Sequence, residues 1–299
     1  MQIGLVGLGK MGGNMRERLR RSGHTVVGYD RNATVSDSTS LEDMVAQLTD
    51  SPRVVWVMVP DAVVEAVIDE LAPVLGEGDI IIDGGNSKWT HDARRAEALA
   101  PKGVHYLDCG VSGGVWGLAN GYALMVGGDA ADVAVCQPIF DALKPAGEFG
   151  FVHAGDHGAG HFVKMVHNGI EYGIMQAYAE GWELIESAGE VTNVPAVFNS
   201  WREGTVIRSW LLDLMCNALA SDPHLEAIEG VAADSGEGRW TVNAAVDLGV
   251  ATPTIAASLF ARFVSQKPDS PAMKMVAAMR NQFGGHAVVT EGGGGDLAS

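Results

Sequence analysis

Over roughly the first half of the chain, short apolar runs alternate with segments of helical period; over the second half only the helical period continues. Ile3, Leu5 and Val6 form a strand-like run, Met15 and Leu19 follow at helical spacing, and Thr25-Val26-Val27-Gly28-Tyr29-Asp30 reads as the next strand. Val54-Val55-Trp56-Val57-Met58-Val59 is fully apolar and ends at Pro60-Asp61, with Val63, Val67 and Leu71 spaced as a helix behind it. Ile80-Ile81-Ile82-Asp83 and residues 104–107, 123–128 and 147–152 read as further strands. Strands that are apolar without alternation are covered on both faces, and strands alternating with helices predict a doubly wound sheet. Helices are predicted over 161–188, 194–201, 209–219, 241–248 and 254–265. The expected organisation is a first domain over 1–160, a hinge with three glycines at its end (153–160), a helical domain over 161–290 and a disordered glycine-rich tail over 291–299.

Between the first strand and its helix lies Gly7-Leu8-Gly9-Lys10-Met11-Gly12. The first two glycines permit a tight turn and close approach of the backbone to a pyrophosphate at a helix amino terminus; Gly12 lets that helix pack on the sheet. An acidic residue, Asp30, ends the second strand 18 residues after Gly12. That context marks a dinucleotide-binding domain, so the fold class is an α/β Rossmann-type doubly wound sheet followed by an all-α second domain. Gly7, Gly9, Met11 and Gly12 are candidate cofactor contacts. The Asp30 carboxylate accepts from ribose hydroxyls and repels a 2′-phosphate, which favours NAD, with NADP as the alternative because Arg31 can offset the repulsion or stack on adenine. Ligands collect at the carboxyl ends of parallel strands, which adds Val59, Pro60 and the turn Gly84-Gly85-Asn86-Ser87. Asn86 is either a ligand-facing amide or the cap of the next helix. After the strand at 104–107, Asp108-Cys109-Gly110-Val111-Ser112-Gly113-Gly114 reads as a loop whose bare N–H groups, with Ser112, can hold a carboxylate.

The predicted helix from residue 161 places Lys164, His167, Asn168 and Glu171 on one face at i, i+3, i+4 and i+7, while Phe162, Val163, Met165, Val166 and Ile170 fill the others. A core would leave each of those polar groups needing a partner, whereas an amine and a carboxyl roughly 10 Å apart along the axis suit acid/base work at two ends of one small substrate. The same spacing also describes a solvated polar face with an i,i+4 His–Glu pair.

With 299 residues, 47% hydrophobic and 19% charged, the chain has the composition of a globular protein of two domains. A net charge of −17 argues against nucleic acid and anionic membranes as partners, and requires any anionic substrate to find a local positive pocket. No apolar run reaches the ~18 residues of a membrane span, and no basic segment precedes the first strand. Cys109, Cys136 and Cys216 lack metal or redox spacing, and an odd scattered set fits free thiols in the cytoplasm. Cys109 reads as a core residue rather than a nucleophile. The nine histidines contain no H-E-x-x-H, so no metal is expected. Apolar faces on the second domain predict a homo-oligomer, a dimer or a tetramer.

With these motifs in place, the chain resembles the β-hydroxyacid dehydrogenase superfamily, and within it the decarboxylating 6-phosphogluconate dehydrogenases in a short form. The resemblance covers nearly the whole chain and is carried by the glycine motif at 7–12, Ile82-Asp83-Gly84-Gly85-Asn86-Ser87, Gly110-Val111-Ser112-Gly113-Gly114, and His161-Phe162-Val163-Lys164-Met165-Val166-His167-Asn168-Gly169-Ile170-Glu171-Tyr172. It implies oxidative decarboxylation of 6-phosphogluconate, a sugar acid, to ribulose 5-phosphate with reduction of NAD, a step of the pentose phosphate pathway. It implies Lys164 as general base on the 3-hydroxyl and Glu171 as proton donor to C1 of the enediol. Asn86, Ser112, Gly113, Gly114, His167, Asn168 and Tyr172 match substrate contacts, and Arg262 matches a phosphate-binding arginine. Where long members read Q-K-G-T-G-K-W-T, this chain reads Asp234-Ser235-Gly236-Glu237-Gly238-Arg239-Trp240-Thr241. A phosphate-contacting lysine is thus Ser235 and a threonine is Glu237, with Arg239 or Arg262 left to offset the added carboxylate. The chain also ends before the tail that supplies long members with a further phosphate contact. An unphosphorylated aldonate as substrate, simple dehydrogenation of a 3-hydroxy acid, and dinucleotide sensing without turnover are the alternatives.

Overall fold

The computed structural model describes residues 1–284 together with 288 and 289; the tail expected at 291–299 lies outside the described residues. Two compact units are present, Met1–Asn168 and Gly169–Ser299.

The first unit alternates strand and helix as β1 (Gln2–Val6), α1 (Lys10–Arg21), β2 (Thr25–Tyr29), α2 (Leu41–Ala46), β3 (Val54–Val57), α3 (Asp61–Leu71), β4 (Ile80–Asp83), α4 (Asp92–Leu99), β5 (His105–Ser112), α5 (Gly117–Asn120), β6 (Ala123–Gly127), α6 (Ala130–Leu143) and β7 (Phe151–Gly155). The strands form one sheet in the order β2-β1-β3-β4-β5-β6-β7. All neighbours are parallel except β5 and β6, which run antiparallel from Asp108↔Gly127 to Ser112↔Ala123. Successive strand residues point to opposite faces, so one core gathers Ile3, Leu5, Trp56, Ile80, Ile82 and Leu107, and the other gathers Val55, Val57, Ile81 and Tyr106. A sheet buried on both sides explains why its strands lack alternating polarity.

Three sequence boundaries move. The loop expected from Asp108 is strand as far as Ser112, because those residues complete the antiparallel ladder with β6. The strand expected at 147–152 lies at Phe151–Gly155, after a left-handed turn at Gly147 and Gly150. The long helix begins two residues early, so β7 and that helix are separated only by residues 156–158.

That helix, α7 (Ala159–Ala188), is followed by α8 (Val194–Ser200), α9 (Trp210–Ser221), α10 (Glu237–Leu248), α11 (Pro253–Ser265) and α12 (Pro271–Gly284). Asn193 and Ser209 cap α8 and α9 through their side chains, accepting from Ala196 and Leu212. In the second unit Val194, Phe198, Leu212, Cys216 and Leu219 form a core against Tyr178 and Trp182. Among the described residues no helix is long and apolar enough to cross a membrane.

Candidate active site

At two of the three glycines of the turn, Gly7 and Gly12, contact distances leave no space for a side chain. Gly7 has φ +91°, and a Cβ there would stand 2.4 Å from the Met58 carbonyl oxygen. A Cβ on Gly12 would stand 1.9 Å from the Gly7 carbonyl oxygen, so α1 rests directly on the turn. Gly9, at the amino end of α1, faces open space and brings no side-chain cap. An uncapped helix amino terminus behind open backbone is the fit a pyrophosphate needs. Asp30 Oδ2 accepts from the Leu8 N–H at 2.7 Å and Oδ1 accepts from the Asn32 N–H at 2.8 Å, which fixes the end of β2 beside the turn. Met11 is half-buried on α1, Arg31 is exposed, and Val59 and Pro60 lie between β3 and α3.

Asn86 is exposed in the turn after β4, and Lys88 rather than Asn86 takes the cap position of the following helical turn. Ser112 is the last residue of β5; Gly113 (φ +136°) and Gly114 (φ +52°) follow in positive-φ conformations that favour glycine.

Lys164, Asn168 and Glu171 are half-buried on α7, and His167 is exposed. Lys164 Nζ donates to Asn168 Oδ1, and His167 Nδ1 lies 3.1 Å from the same oxygen. On the remaining faces Met165 is buried and Phe162 meets the Trp89 ring edge-on at 5.1 Å, but Val163 and Ile170 are exposed. The strand behind this turn is Gly110 of β5: a Cβ there would lie 2.3 Å from Lys164 Cβ and 2.9 Å from the Gly160 carbonyl oxygen.

In the second unit Tyr172 is buried, with Arg262 stacked 3.5 Å above its ring and Gly238 of α10 against its edge. The Tyr172 hydroxyl is 3.2 Å from Ser235 Oγ and accepts from the Ser235 N–H at 3.3 Å. Arg262 also donates to the Ala233 carbonyl at 2.9 Å. Arg239 Nε and Nη2 both donate to Asp234 Oδ2, at 3.0 and 2.9 Å, and its guanidinium lies over Phe263. The buried Glu237 opens α10, where the helix dipole favours a carboxylate.

A buried polar network went unnoticed in the sequence. Asp83, the last residue of β4, accepts from the Gly85 N–H at 3.0 Å, from Ser87 Oγ at 2.7 Å and from Arg95 at 3.0 Å. Asp92 accepts from the Tyr106 hydroxyl at 2.8 Å and lies 2.8 Å from His161 Nδ1. Asp108 accepts from the Gly158 N–H at 2.6 Å and the His161 N–H at 2.9 Å. Although burial alone would lower its pKa, the hydrogen bond to Asp92 and the surrounding carboxylates raise His161 to about 9. Burial pushes the Asp108 carboxyl up, against His161 and the two N–H donors. Asp83, Asp92 and His161 bring three metal-ligand atoms within 4.8 Å of one another. Two of those carboxylates are already engaged, Asp83 by Arg95 at 3.0 Å and Asp92 by His161 at 2.8 Å, while His161 Nε2 is buried without a hydrogen-bond partner among the described residues. Cys109, beside Asp108 in β5, is fully buried, and desolvation holds its thiol well above the ordinary range, as suits a core residue.

Residues 2–149 match the family described as the NAD binding domain of 6-phosphogluconate dehydrogenase, and residues 160–278 match the 6-phosphogluconate dehydrogenase C-terminal domain. A Bacillus subtilis protein assigned provisionally to 6-phosphogluconate dehydrogenase is 45% identical over 296 residues, covering 96% of this chain and 99% of that one. A Haloferax volcanii protein named as an NAD(+)-dependent, decarboxylating 6-phosphogluconate dehydrogenase is 40% identical over 300 residues, covering 96% of this chain and 98% of that one. Among solved structures, that of the Plasmodium falciparum 6-phosphogluconate dehydrogenase, described in apo form, with its cofactor NADP+ and with its substrate 6-phosphogluconate, is similar with a TM-score of 0.83 and 28% identity, covering 97% of this chain and 66% of that chain. A nucleotide-ready glycine turn, a polar stripe on α7 and matches to both domains converge on one assignment: the chain belongs to the 6-phosphogluconate dehydrogenase family.

Proposed function

We propose that this chain catalyses the NAD-linked oxidative decarboxylation of 6-phosphogluconate to ribulose 5-phosphate and CO2, and that Lys164 and Glu171 carry the proton transfers. The observation behind this reading is the polar stripe of α7, on which an amine, an imidazole, an amide and a carboxylate share one face over two turns. NAD, bound at the turn of Gly7, Gly9 and Gly12 with Met11, Asp30, Arg31, Val59, Pro60 and Asn86 around it, supplies the hydride acceptor.

Lys164 Nζ takes the proton of the substrate 3-hydroxyl as C3 is oxidised. Its hydrogen bond to Asn168 aims the amine. The protonated Lys164 then donates to the new 3-carbonyl, which draws in the electron pair of the breaking C1–C2 bond as CO2 leaves. Glu171 delivers a proton to the resulting enediol at the carbon that becomes C1 of the ketopentose. Asn86, Ser112, Gly113, Gly114, His167 and Tyr172 hold the sugar acid, and Arg262 meets its phosphate. Arg239 is engaged by Asp234, which supports Arg262 as the phosphate partner.

Incubating the protein with NAD and 6-phosphogluconate and measuring both products tests the proposal. Equal amounts of CO2 and NADH are expected; NADH without CO2 would identify a simple dehydrogenase instead. Ser235 and Glu237, where long relatives carry a lysine and a threonine, favour one second reading, the same chemistry on an unphosphorylated aldonate. A higher kcat/KM for gluconate than for its 6-phosphate would select it. The exposed Val206, Trp210, Val246, Phe260 and Val264 of the helical unit support a homo-oligomer, to be checked by light scattering. Three buried free cysteines are consistent with the cytoplasm.

A further inference from the structure

We propose that His161, held between Asp92 and Asp108, is a positioning residue that seats the first turns of α7 on β5 and ties the placement of Lys164 to the Asn86 turn. The proposal rests on the reaction assigned above to Lys164 and adds a group that touches neither substrate nor cofactor.

The first turn of a helix has N–H groups without partners inside the helix. At the entry to α7 two such groups, of Gly158 and His161, donate to one buried carboxylate, Asp108, from the middle of β5. Two residues further along the same face of the strand, Gly110 meets Lys164 Cβ. Strand period two and helix period three therefore coincide: Asp108 faces His161, and Gly110 faces Lys164. The helix cannot slide or tilt there without breaking the Asp108 bonds or driving Lys164 into the strand.

The His161 side chain extends the link in the other direction. It lies 2.8 Å from Asp92, which is bonded to Tyr106 and, at 3.5 Å, to Arg95; Arg95 is 3.0 Å from Asp83. Asp83 in turn accepts from Gly85 and Ser87, the residues flanking Asn86. A continuous, solvent-excluded path of hydrogen bonds thus joins the turn that carries Asn86 to the helix that carries Lys164. Three buried carboxylates, Asp83, Asp92 and Asp108, face Arg95, the His161 ring and the positive end of α7. Without the His161 side chain, Asp92 would lose a partner while staying buried close to Asp108.

The test uses the full chain and three variants. His161→Leu removes donor and charge, His161→Asn keeps a donor near the Nδ1 position without the charge, and Asp92→Asn removes the acceptor's charge. In folded His161→Leu, kcat on 6-phosphogluconate should fall about tenfold to a hundredfold, as expected when a reacting group loses its support. The KM for substrate and the Kd for NAD should change less than threefold. His161→Asn should recover part of kcat. With substrate deuterated at C3, the isotope effect on kcat should grow in the variants, because hydride transfer becomes slower. A role confined to stability would lower the melting temperature and leave kcat and the isotope effect at wild-type values; that result overturns the proposal. If His161→Leu does not fold, unchanged kcat in both His161→Asn and Asp92→Asn overturns it. Failure of the wild-type chain to release CO2 from 6-phosphogluconate would sink the assigned reaction instead, so the two failures are distinct.

Discussion

Replacing Gly110 by alanine is the sharpest test of how Lys164 is held. The added methyl would stand 2.3 Å from Lys164 Cβ, 3.0 Å from Lys164 Cγ and 2.9 Å from the Gly160 carbonyl oxygen. Two of those three atoms are fixed to helix backbone, so a change of side-chain rotamer cannot relieve the contact. Restoring ordinary van der Waals separation requires α7 to move off β5 by about 1 Å, a misplacement that is worth about a hundredfold in rate when it falls on a reacting group. The same overpacking should cost about 1–3 kcal/mol of stability. Initial rates of NADH formation at saturating substrate give kcat, a urea titration gives stability, and fluorescence titration gives the NAD affinity. The expected pattern is a large fall in kcat, a moderate loss of stability and an unchanged Kd for NAD, since the glycine turn at Gly7 and Gly9 is built by other contacts. A folded Gly110→Ala variant with wild-type kcat would show that the amine does not depend on its seat against the strand, and the reasoning would fail.

Other substitutions and conditions separate the remaining roles. Lys164→Met should reduce NADH formation by at least about a thousandfold with NAD binding intact, whereas Glu171→Gln should slow appearance of ketopentose more than release of CO2; equal residual activity in both assays would contradict the assignment. Arg262→Met should raise KM for 6-phosphogluconate roughly tenfold to a hundredfold and leave gluconate unaffected, as for loss of a charge-assisted contact to phosphate; steady-state kinetics on both substrates decide it. The pH dependence of stability should carry the mark of His161. Its folded pKa of about 9 lies above the ordinary 6.5, so its stabilisation is full below 6.5 and is lost as the pH rises through about 9. The contribution is of order 3 kcal/mol, and urea titrations across that window should show the decline in the wild-type chain and a flatter profile in His161→Asn. His24, lowered by burial, acts below 6.5, and the buried thiols of Cys109, Cys136 and Cys216, all raised, add their own loss of stability from about pH 9 upward, so the decline between 6.5 and 9 is the part that reports on His161.

What the sequence disclosed is local, and what it withheld is not. Strands covered on both faces are visible as unbroken apolar runs, and the stripe of Lys164, His167, Asn168 and Glu171 is visible because its helical period is contained within residues 164–171. Asp83 and Asp108 are also in view, each at the end of an apolar run, and the pattern reads Asp83 as the last residue of a strand and Asp108 as the start of a loop. For Asp83 that reading holds, since β4 ends on it, but its partner Arg95 is 12 residues away. For Asp108 it fails: the strand continues in the ladder with β6, and the buried charge is met by the Gly158 and His161 N–H groups at the start of α7, 50 and 53 residues away, a distance at which no periodicity carries information. Gly110 likewise reads, in sequence, as a source of bare N–H groups, whereas its missing side chain serves the close approach of Lys164.

The same distinction orders the chemistry. Which groups face a reaction follows from one helix, but how firmly they face it follows from contacts between elements distant in sequence, and a site that must fix a proton acceptor within a fraction of an ångström depends on the second kind. The His161 and Gly110 variants probe that dependence from two sides. One loosens the buried charge that holds the helix down, and the other inserts volume that lifts it. If Lys164 is seated by both, each substitution should lower kcat, and the double variant should lose less than the product of the two single losses, because a helix already displaced from β5 has little alignment left to lose.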